Sequence, residues 1–476
     1  MKAFILLILG FFTALSGLGQ TPTPTPILYS EKTLADMKRI QQAALTSDYA
    51  FSRTRYMTDN IGPRLSGSAQ AQRAVEYVAD EMRKAGLEVK LQKVMVPHWV
   101  RGVETGQIVE FPGMAPGTTQ KLVLATLGGS IATGEGGLTA EVIVVKSFEE
   151  LTALGRDKIA GKIVLFNNKF DTQMQASGFG GAAYGQAVAF RFGGAMAAAR
   201  LGAVGVLVRS AGGSQNRLAH TGSMGYDPVV TKIPGASVSF EDAETLAYLA
   251  SMGKVRVRMT LTPQTLPDEV SYNVIADLKG SEKPDEIVVV GGHLDSWDLG
   301  TGALDNAAGV AVSMQVGYLL KQLKLTPKRT IRVVAFMNEE NGGAGGRGYF
   351  EEYKNDITKH FAAIESDLGA SHPLGFNFSG KAEALPFFVP ISNTLLSQGS
   401  NRVQHQAGGV GADTGVLTQA GVPSFAPWFN QQTYFNYHHT AADTFDKINP
   451  RELAELGSVM AVLAYGLANL EQPLPR

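Results

Sequence analysis

Apolar and polar positions divide the chain into three textures. Over 68–85 the apolar residues Val75, Val78 and Met82 share one helical face, and Gly86 stops that helix before the strand-like run Leu87-Glu88-Val89-Lys90-Leu91. Between about 128 and 261, glycine-rich turns separate short β-branched runs at 142–145, 163–166 and 204–208, a pattern of short strands. After 261 strands and helices alternate: a strand at 287–290, a helix from 306 to about 323, a strand at 331–336, a helix from about 345 to 353, and a strand at 362–364. Short apolar strands separated by helices imply a mostly parallel sheet covered on both faces. The fold class is α/β, a mostly parallel central sheet flanked by helices. Residues 28–127 and 262–476 supply it, and 128–261 form an inserted, β-rich domain. The pattern leaves open that the segment instead adds strands to the central sheet.

A chain of 476 residues exceeds the usual size of one domain, which agrees with this division. Met1-Lys2, an apolar run to Leu15 and the small residues Ser16 to Gly19 give residues 1–19 the three parts of a signal peptide. The mature protein is therefore expected to be exported, to the periplasm or the medium. An uncleaved anchor is the alternative, but the apolar run is shorter than the roughly 20 residues a spanning helix needs. No other segment could span a bilayer. Residues 20–27 contain Thr-Pro repeats and read as a linker.

Composition narrows the chemistry. With 44% hydrophobic residues, 18% charged residues and a net charge of −1, the chain has neither the signature of disorder nor an electrostatic footprint for nucleic acid. Cysteine is absent, so disulfides, thiolate ligands and a cysteine nucleophile are excluded. Any metal must be held by His and carboxylates.

Such residues collect where parallel sheets present their ligands, at the carboxyl ends of strands. His293 and Asp295 follow the strand at 287–290; one can bind metal while the other supports it. Asp305 begins a helix, where an ordinary helix cap is the competing explanation. Glu339 and Glu340 follow the strand at 331–336, and their side chains diverge, so that one can reach a metal and the other a water. Asp367 follows the strand at 362–364, and His438-His439 lies in a late loop. Two imidazoles with three carboxylates suit zinc better than calcium or magnesium, which prefer oxygen shells.

These residues resemble the co-catalytic di-zinc exopeptidase family that includes leucyl-type aminopeptidases and carboxypeptidase Q. Gly292-His293-Leu294-Asp295-Ser296-Trp297-Asp298 through Gly302-Ala303-Leu304-Asp305-Asn306 is similar to the carboxypeptidase Q branch, as is the upstream segment from Asn60 to Ser68. The resemblance implies a zinc exopeptidase fold, with 128–261 similar to a protease-associated domain, and two zinc ions per chain. Asp305 would bridge both ions, His293 and Asp367 completing one site and Glu340 and His439 the other. His439 is preferred to His438 because the family's ligand stands four residues before Asp443. Glu339 would be the general base and Asp295 the acid supporting it, and a homodimer is implied.

The activity so implied is hydrolysis of terminal peptide bonds in dipeptides or short peptides, with a dipeptidase or carboxypeptidase polarity favoured over an aminopeptidase. A binding protein that has lost catalysis and a glutaminyl-cyclase-like transferase are the rivals from other classes. His220 and His438 are candidates for the substrate pocket. Arg347 reads as a solvated helix residue, and the aromatic cluster Trp428, Phe429, Tyr434, Phe435 and Tyr437 as mainly core.

Overall fold

The computed structural model describes residues 28–214 and 216–476; the leader at 1–19 and the linker at 20–27 lie outside the described residues. The chain builds two eight-stranded sheets. Across the first, the strands run Glu88–Val100, Gln264–Leu278, Arg329–Phe336, Lys283–His293, His360–Glu365, Ser424–Phe429, Pro373–Ser379 and Arg402–Gln406. The four from Arg329–Phe336 to Ser424–Phe429 are parallel, and antiparallel pairs flank them. The sheet is thus mixed at its margins and parallel where the candidate ligands leave it.

Burial explains why these strands read as continuous apolar runs. Every residue of Arg329–Phe336 and of His360–Glu365 is buried, because helices cover both faces. Two of the covering helices, Ala308–Gln322 and Pro450–Ala468, are buried on nearly all sides. The second starts from Asn449, whose side chain accepts from the backbone N–H of Arg451 and Glu452, with Pro450 at the first helical position.

The helix expected over 68–85 is Ala69–Lys84, capped by Ser68, whose side chain accepts from the N–H of Ala71. Gly86 adopts φ +84°, and the N–H of Leu87 closes back on Met82 at 3.2 Å, so the glycine does end this helix. The strand that follows is far longer than the five residues whose alternation showed it. It pairs along the antiparallel strand Gln264–Leu278, and polar positions are tolerated where the pair faces solvent.

The second sheet takes Gln120–Leu122, Glu104–Glu110, Arg256–Leu261, Leu138–Val145, Ile163–Phe166, Gly205–Arg209, Gly235–Val238 and Leu124–Thr126 in that order. Its strands do not extend the first sheet. It begins at Glu104, so a boundary at 128 would cut through it; the short strands before 128 carry too few alternating positions to be assigned to it from pattern. The segment also carries more helix than its glycine-rich texture suggests. Gly180–Arg200 is a helix of 21 residues made largely of Gly and Ala, whose small side chains give no clear apolar stripe.

Candidate metal centre

Parallel pairing sets the candidate residues side by side. His293 is in register with Phe336, and Gly291 with Glu365, so the segments leaving all three strands emerge at one edge. Asn338 turns the chain there with φ +72°, the left-handed region that Asn tolerates best among non-glycine residues. Its Oδ1 accepts from the N–H of Ala344 at 3.1 Å and its Nδ2 donates to Ser66 Oγ at 3.1 Å, which fixes the turn. The adjacent Glu339 and Glu340 therefore diverge.

Asp305 is not a helix cap. Its backbone is non-helical, and Asn306 accepts from the N–H of Gly309 at 3.1 Å in that role. Asp305 is instead presented by Asp443, whose carboxylate accepts from the N–H groups of Ala303, Leu304 and Asp305 at 3.1, 2.7 and 3.1 Å. The Asp305 carboxylate stays free to point into the site.

Two trios share that carboxylate. His293 Nε2 lies 3.1 Å from Asp305 Oδ1 and 2.9 Å from Asp367 Oδ1. His439 Nε2 lies 3.2 Å from Asp305 Oδ2 and 2.9 Å from Glu340 Oε2. The neighbouring His438 reaches Asp305 Oδ2 at 3.4 Å but meets no second carboxylate among the described residues, whereas His439 also meets Glu340. His439 holds φ +59°, a strained conformation for this residue and one that clusters at functional sites.

The other ring nitrogens fix how these imidazoles are oriented. His293 Nδ1 is 3.0 Å from the Asp295 carbonyl oxygen, and His439 Nδ1 is 3.3 Å from that of Thr221. A carbonyl only accepts, so His293 Nδ1 carries a proton and its neutral ring turns the Nε2 lone pair toward two carboxylates; His439 Nδ1 faces the Arg191 guanidinium at 3.3 Å as well as the carbonyl, and its Nε2 likewise points at two carboxylates. That arrangement is repulsive unless a cation lies between them. Asp305 Oδ2 and Glu340 Oε1 are moreover buried without a hydrogen-bond partner, a costly state for the polypeptide alone. The nitrogen and oxygen donors fit zinc.

Without a cation the polypeptide answers this crowding by moving protons. Burial opposes charge on His293 and His439, yet Asp367 beside the first and Glu340 beside the second outweigh it and hold both imidazoles well above their usual range. Burial also works to raise Asp305, but the His293 and His439 imidazoles beside its carboxylate hold it well below the usual carboxylate range. Burial pushes Asp367 up to about 7 and Glu339 well above its ordinary value. Bound cations would invert this balance, because they favour deprotonated ligands.

Asp295 is fully buried and acts mainly on the backbone. Its carboxylate accepts from the N–H groups of Asn338, Glu339 and Glu340 at 2.7, 3.1 and 3.3 Å and from Ser66 Oγ at 3.0 Å, while staying 3.8 Å from His293 Nδ1. His220 is set behind His438, its Nε2 3.2 Å from His438 Nδ1, and does not line the cavity at the site. Burial and the neighbouring imidazoles hold both histidines well below their usual range. Arg347 donates to the Gly342 carbonyl and also stands off the cavity.

The cavity itself measures about 410 Å³ and is lined by Asp305, Glu340, Asp367 and His439 together with Glu339, with Tyr434, Phe435 and His438 on one wall; His293 stands behind it. Tyr184 and Arg191, from the helix Gly180–Arg200, also line it, and the sequence pattern singles out neither. The signal available is slight: two large polar side chains in a run of Gly and Ala. Ser223 escapes the pattern as well; its Oγ donates to the Glu340 carbonyl at 2.9 Å. Within the described residues, no helix is long and apolar enough to cross a membrane.

Residues 273–464 match the family model for Peptidase family M28. The chain is 37% identical to carboxypeptidase Q of Mus musculus over 429 residues, covering 90% of this chain and 87% of that protein. Among solved structures, a peptidase M28 precursor from Shewanella amazonensis superposes with a TM-score of 0.87 at 36% identity, covering 94% of this chain and 99% of that one. A zinc aminopeptidase from Bacillus subtilis shares the fold at a TM-score of 0.63 and 21% identity, covering 90% of this chain and 98% of that one.

Proposed function

The chain belongs to peptidase family M28 and is a zinc metallo-exopeptidase similar to carboxypeptidase Q, and from that premise we propose that it holds two zinc ions and removes terminal residues from dipeptides or short peptides. The observation that carries the two-ion reading is the pair of trios sharing Asp305: His293 and Asp367 on one side, Glu340 and His439 on the other. Zinc, when bound, would polarise the scissile carbonyl and acidify water beside it.

The remaining work falls to side chains of this chain. Glu339 lies on the cavity wall beside the ligands but has no place in either trio, so its carboxylate is left to take a proton from the attacking water. The same carboxyl then returns that proton to the nitrogen of the departing amine. Asp295 holds the backbone of Glu339 and Glu340 in place for this task. Tyr434 and Phe435 supply apolar wall that keeps bulk water from the reacting bond. A cavity of about 410 Å³ is small for an extended peptide and suits a substrate of a few residues.

The reading extends to the second sheet, from Glu104 to Leu261, as a protease-associated domain and to the described residues on either side of it as the peptidase body. Export rests on the leader composition of residues 1–19, and a homodimer on family resemblance.

Metal analysis and turnover test the core of the proposal together. Zinc-loaded protein should carry two ions per chain and hydrolyse unblocked dipeptides, and Glu339→Gln should keep both ions while losing about 10²- to 10⁴-fold in kcat. One ion per chain, or undiminished turnover in Glu339→Gln, would overturn the assignment.

A further inference from the structure

The charges on the cavity wall decide which end of a peptide it can receive. Its carboxylates are Asp305, Glu339, Glu340 and Asp367, and in the proposed mechanism each already has a duty. Three ligand carboxylates and Glu339 carry four negative charges, which two divalent ions would balance. One further charged side chain lines the cavity, and it is a cation, Arg191.

Arg191 is held firmly and is only partly used. Its Nε donates to the Ser223 carbonyl at 3.2 Å, and its Nη1 donates to the Tyr184 hydroxyl at 2.8 Å and the Thr221 carbonyl at 3.1 Å. These three partners are neutral, the His439 imidazole is a fourth contact with its Nδ1 3.3 Å from Nη1, and no carboxylate among the described residues lies within ion-pair reach. Nη2 has no hydrogen-bond partner among the described residues. Gly222 makes the seat: its φ is +133°, and a Cβ there would overlap the guanidinium. Tyr184 accepts from Arg191, so its own hydroxyl proton remains to be donated.

Position agrees with charge. Arg191 Nη1 is 3.3 Å from His439 Nδ1, on the opposite edge of the ring from the Nε2 that faces Glu340 and Asp305. The guanidinium is therefore about one imidazole's width from the ligand cluster. A peptide advances at most about 3.6 Å per residue, so a carboxylate one residue past the scissile carbonyl matches that offset and one several residues away does not.

We propose that Arg191, with the Tyr184 hydroxyl beside it, receives the free α-carboxylate of the substrate's last residue, which gives the enzyme the polarity of a dipeptidase or carboxypeptidase. An ammonium terminus finds no unengaged acid on the same wall. The inference rests on the exopeptidase reading for its chemistry and on Arg191 for its polarity, and the two can fail separately.

The test compares an unblocked dipeptide with its C-terminal amide, using zinc-loaded wild type, Arg191→Met and Arg191→Lys. Calorimetric binding of both peptides is measured on Glu339→Gln and on Glu339→Gln carrying Arg191→Met. Wild type should favour the free acid on the order of 10- to 100-fold in kcat/KM, the range expected for charge-assisted hydrogen bonds. Arg191→Met should lose most of that preference through KM, and Arg191→Lys should keep part of it. Equal cleavage of acid and amide by wild type overturns the proposal and leaves the peptidase standing, as does an undiminished preference in Arg191→Met. If zinc-loaded protein cleaves neither peptide, the exopeptidase reading fails and calorimetry decides: tighter binding of the acid, lost with Arg191→Met, supports the carboxylate site, and equal binding overturns it. Should Arg191→Met not fold, the acid-to-amide ratio of wild type against that of Arg191→Lys takes its place: a smaller ratio in Arg191→Lys supports the site, and an equal one overturns it.

Discussion

The N–H of Thr221 donates to the carbonyl oxygen of His439 at 2.9 Å, and the carbonyl of Thr221 in turn faces Nδ1 of the same histidine at 3.3 Å. Thr221 belongs to the segment that carries the second sheet, whereas His439 belongs to the loop beside the first. The second sheet is thus more than a cover: its backbone helps to orient a candidate zinc ligand.

Gly222→Ala tests that dependence. The new methyl would strike the Arg191 guanidinium at a backbone angle alanine rarely adopts, forcing the 221–223 segment away from His439 and Glu340. Partners of this kind typically govern 10- to 100-fold in metal affinity, so zinc should bind about that much more weakly in a chelator competition. Unchanged affinity would mean that the peptidase body orients His439 without help.

Acid stability has a source remote from the metal centre. His360 is buried, and its Nε2 lies 2.9 Å from the hydroxyl of Tyr349, which accepts from Arg332 at 3.4 Å. Burial, reinforced by Arg332 and Arg476 and opposed by Asp356, pushes its pKa down to about 4. Unfolded chains bind a proton on this ring below about 6.5 and the folded chain only below about 4, so protons favour unfolding between those values. Its contribution of about 3 kcal/mol is complete above pH 6.5 and lost as pH falls toward 4. His360→Gln should flatten the stability curve across that window in urea titrations, and an unaltered slope would assign the effect elsewhere.

Much of the site is legible in the chain because the fold places it by rule. Parallel strands send their carboxyl ends to one edge, so apolar runs followed by His293, Glu339-Glu340 and Asp367 can be read as one cluster from residue order alone. What stays hidden is held by backbone. Arg64 donates to the carbonyls of Gly62, Leu294, Thr301 and Gly302 at 2.9, 3.0, 2.7 and 2.9 Å, pinning the N-terminal segment under the loop that leads to Asp305. A carbonyl partner leaves no trace in residue type, so the Asn60–Ser68 stretch is recognisable without its purpose being so. Arg191 is hidden for a different reason: a Gly- and Ala-rich helix has no periodic stripe from which to orient its few large side chains.

Asp295 reaches the candidate base through the backbone of the turn that carries it. Expected as an acid supporting a ligating imidazole or the neighbouring general base, it lies 3.8 Å from His293 Nδ1, while its oxygens gather three successive N–H groups of the turn that carries Glu339 and Glu340. Asp295→Ala would leave those donors buried without partners, at a cost of about 1–3 kcal/mol for each one that finds no water. The turn should then relax, moving a candidate ligand and the candidate base together. Zinc affinity, thermal stability and dipeptide turnover should all fall, with kcat dropping more than KM rises, since the peptide is bound from other walls. Asp295→Asn tests charge against shape: one amide oxygen can still accept, but its NH₂ group faces N–H donors, so it should recover stability only in part. If Asp295→Ala instead kept wild-type zinc affinity and lost turnover alone, the carboxylate would be acting on the chemistry through His293 and not by holding the turn.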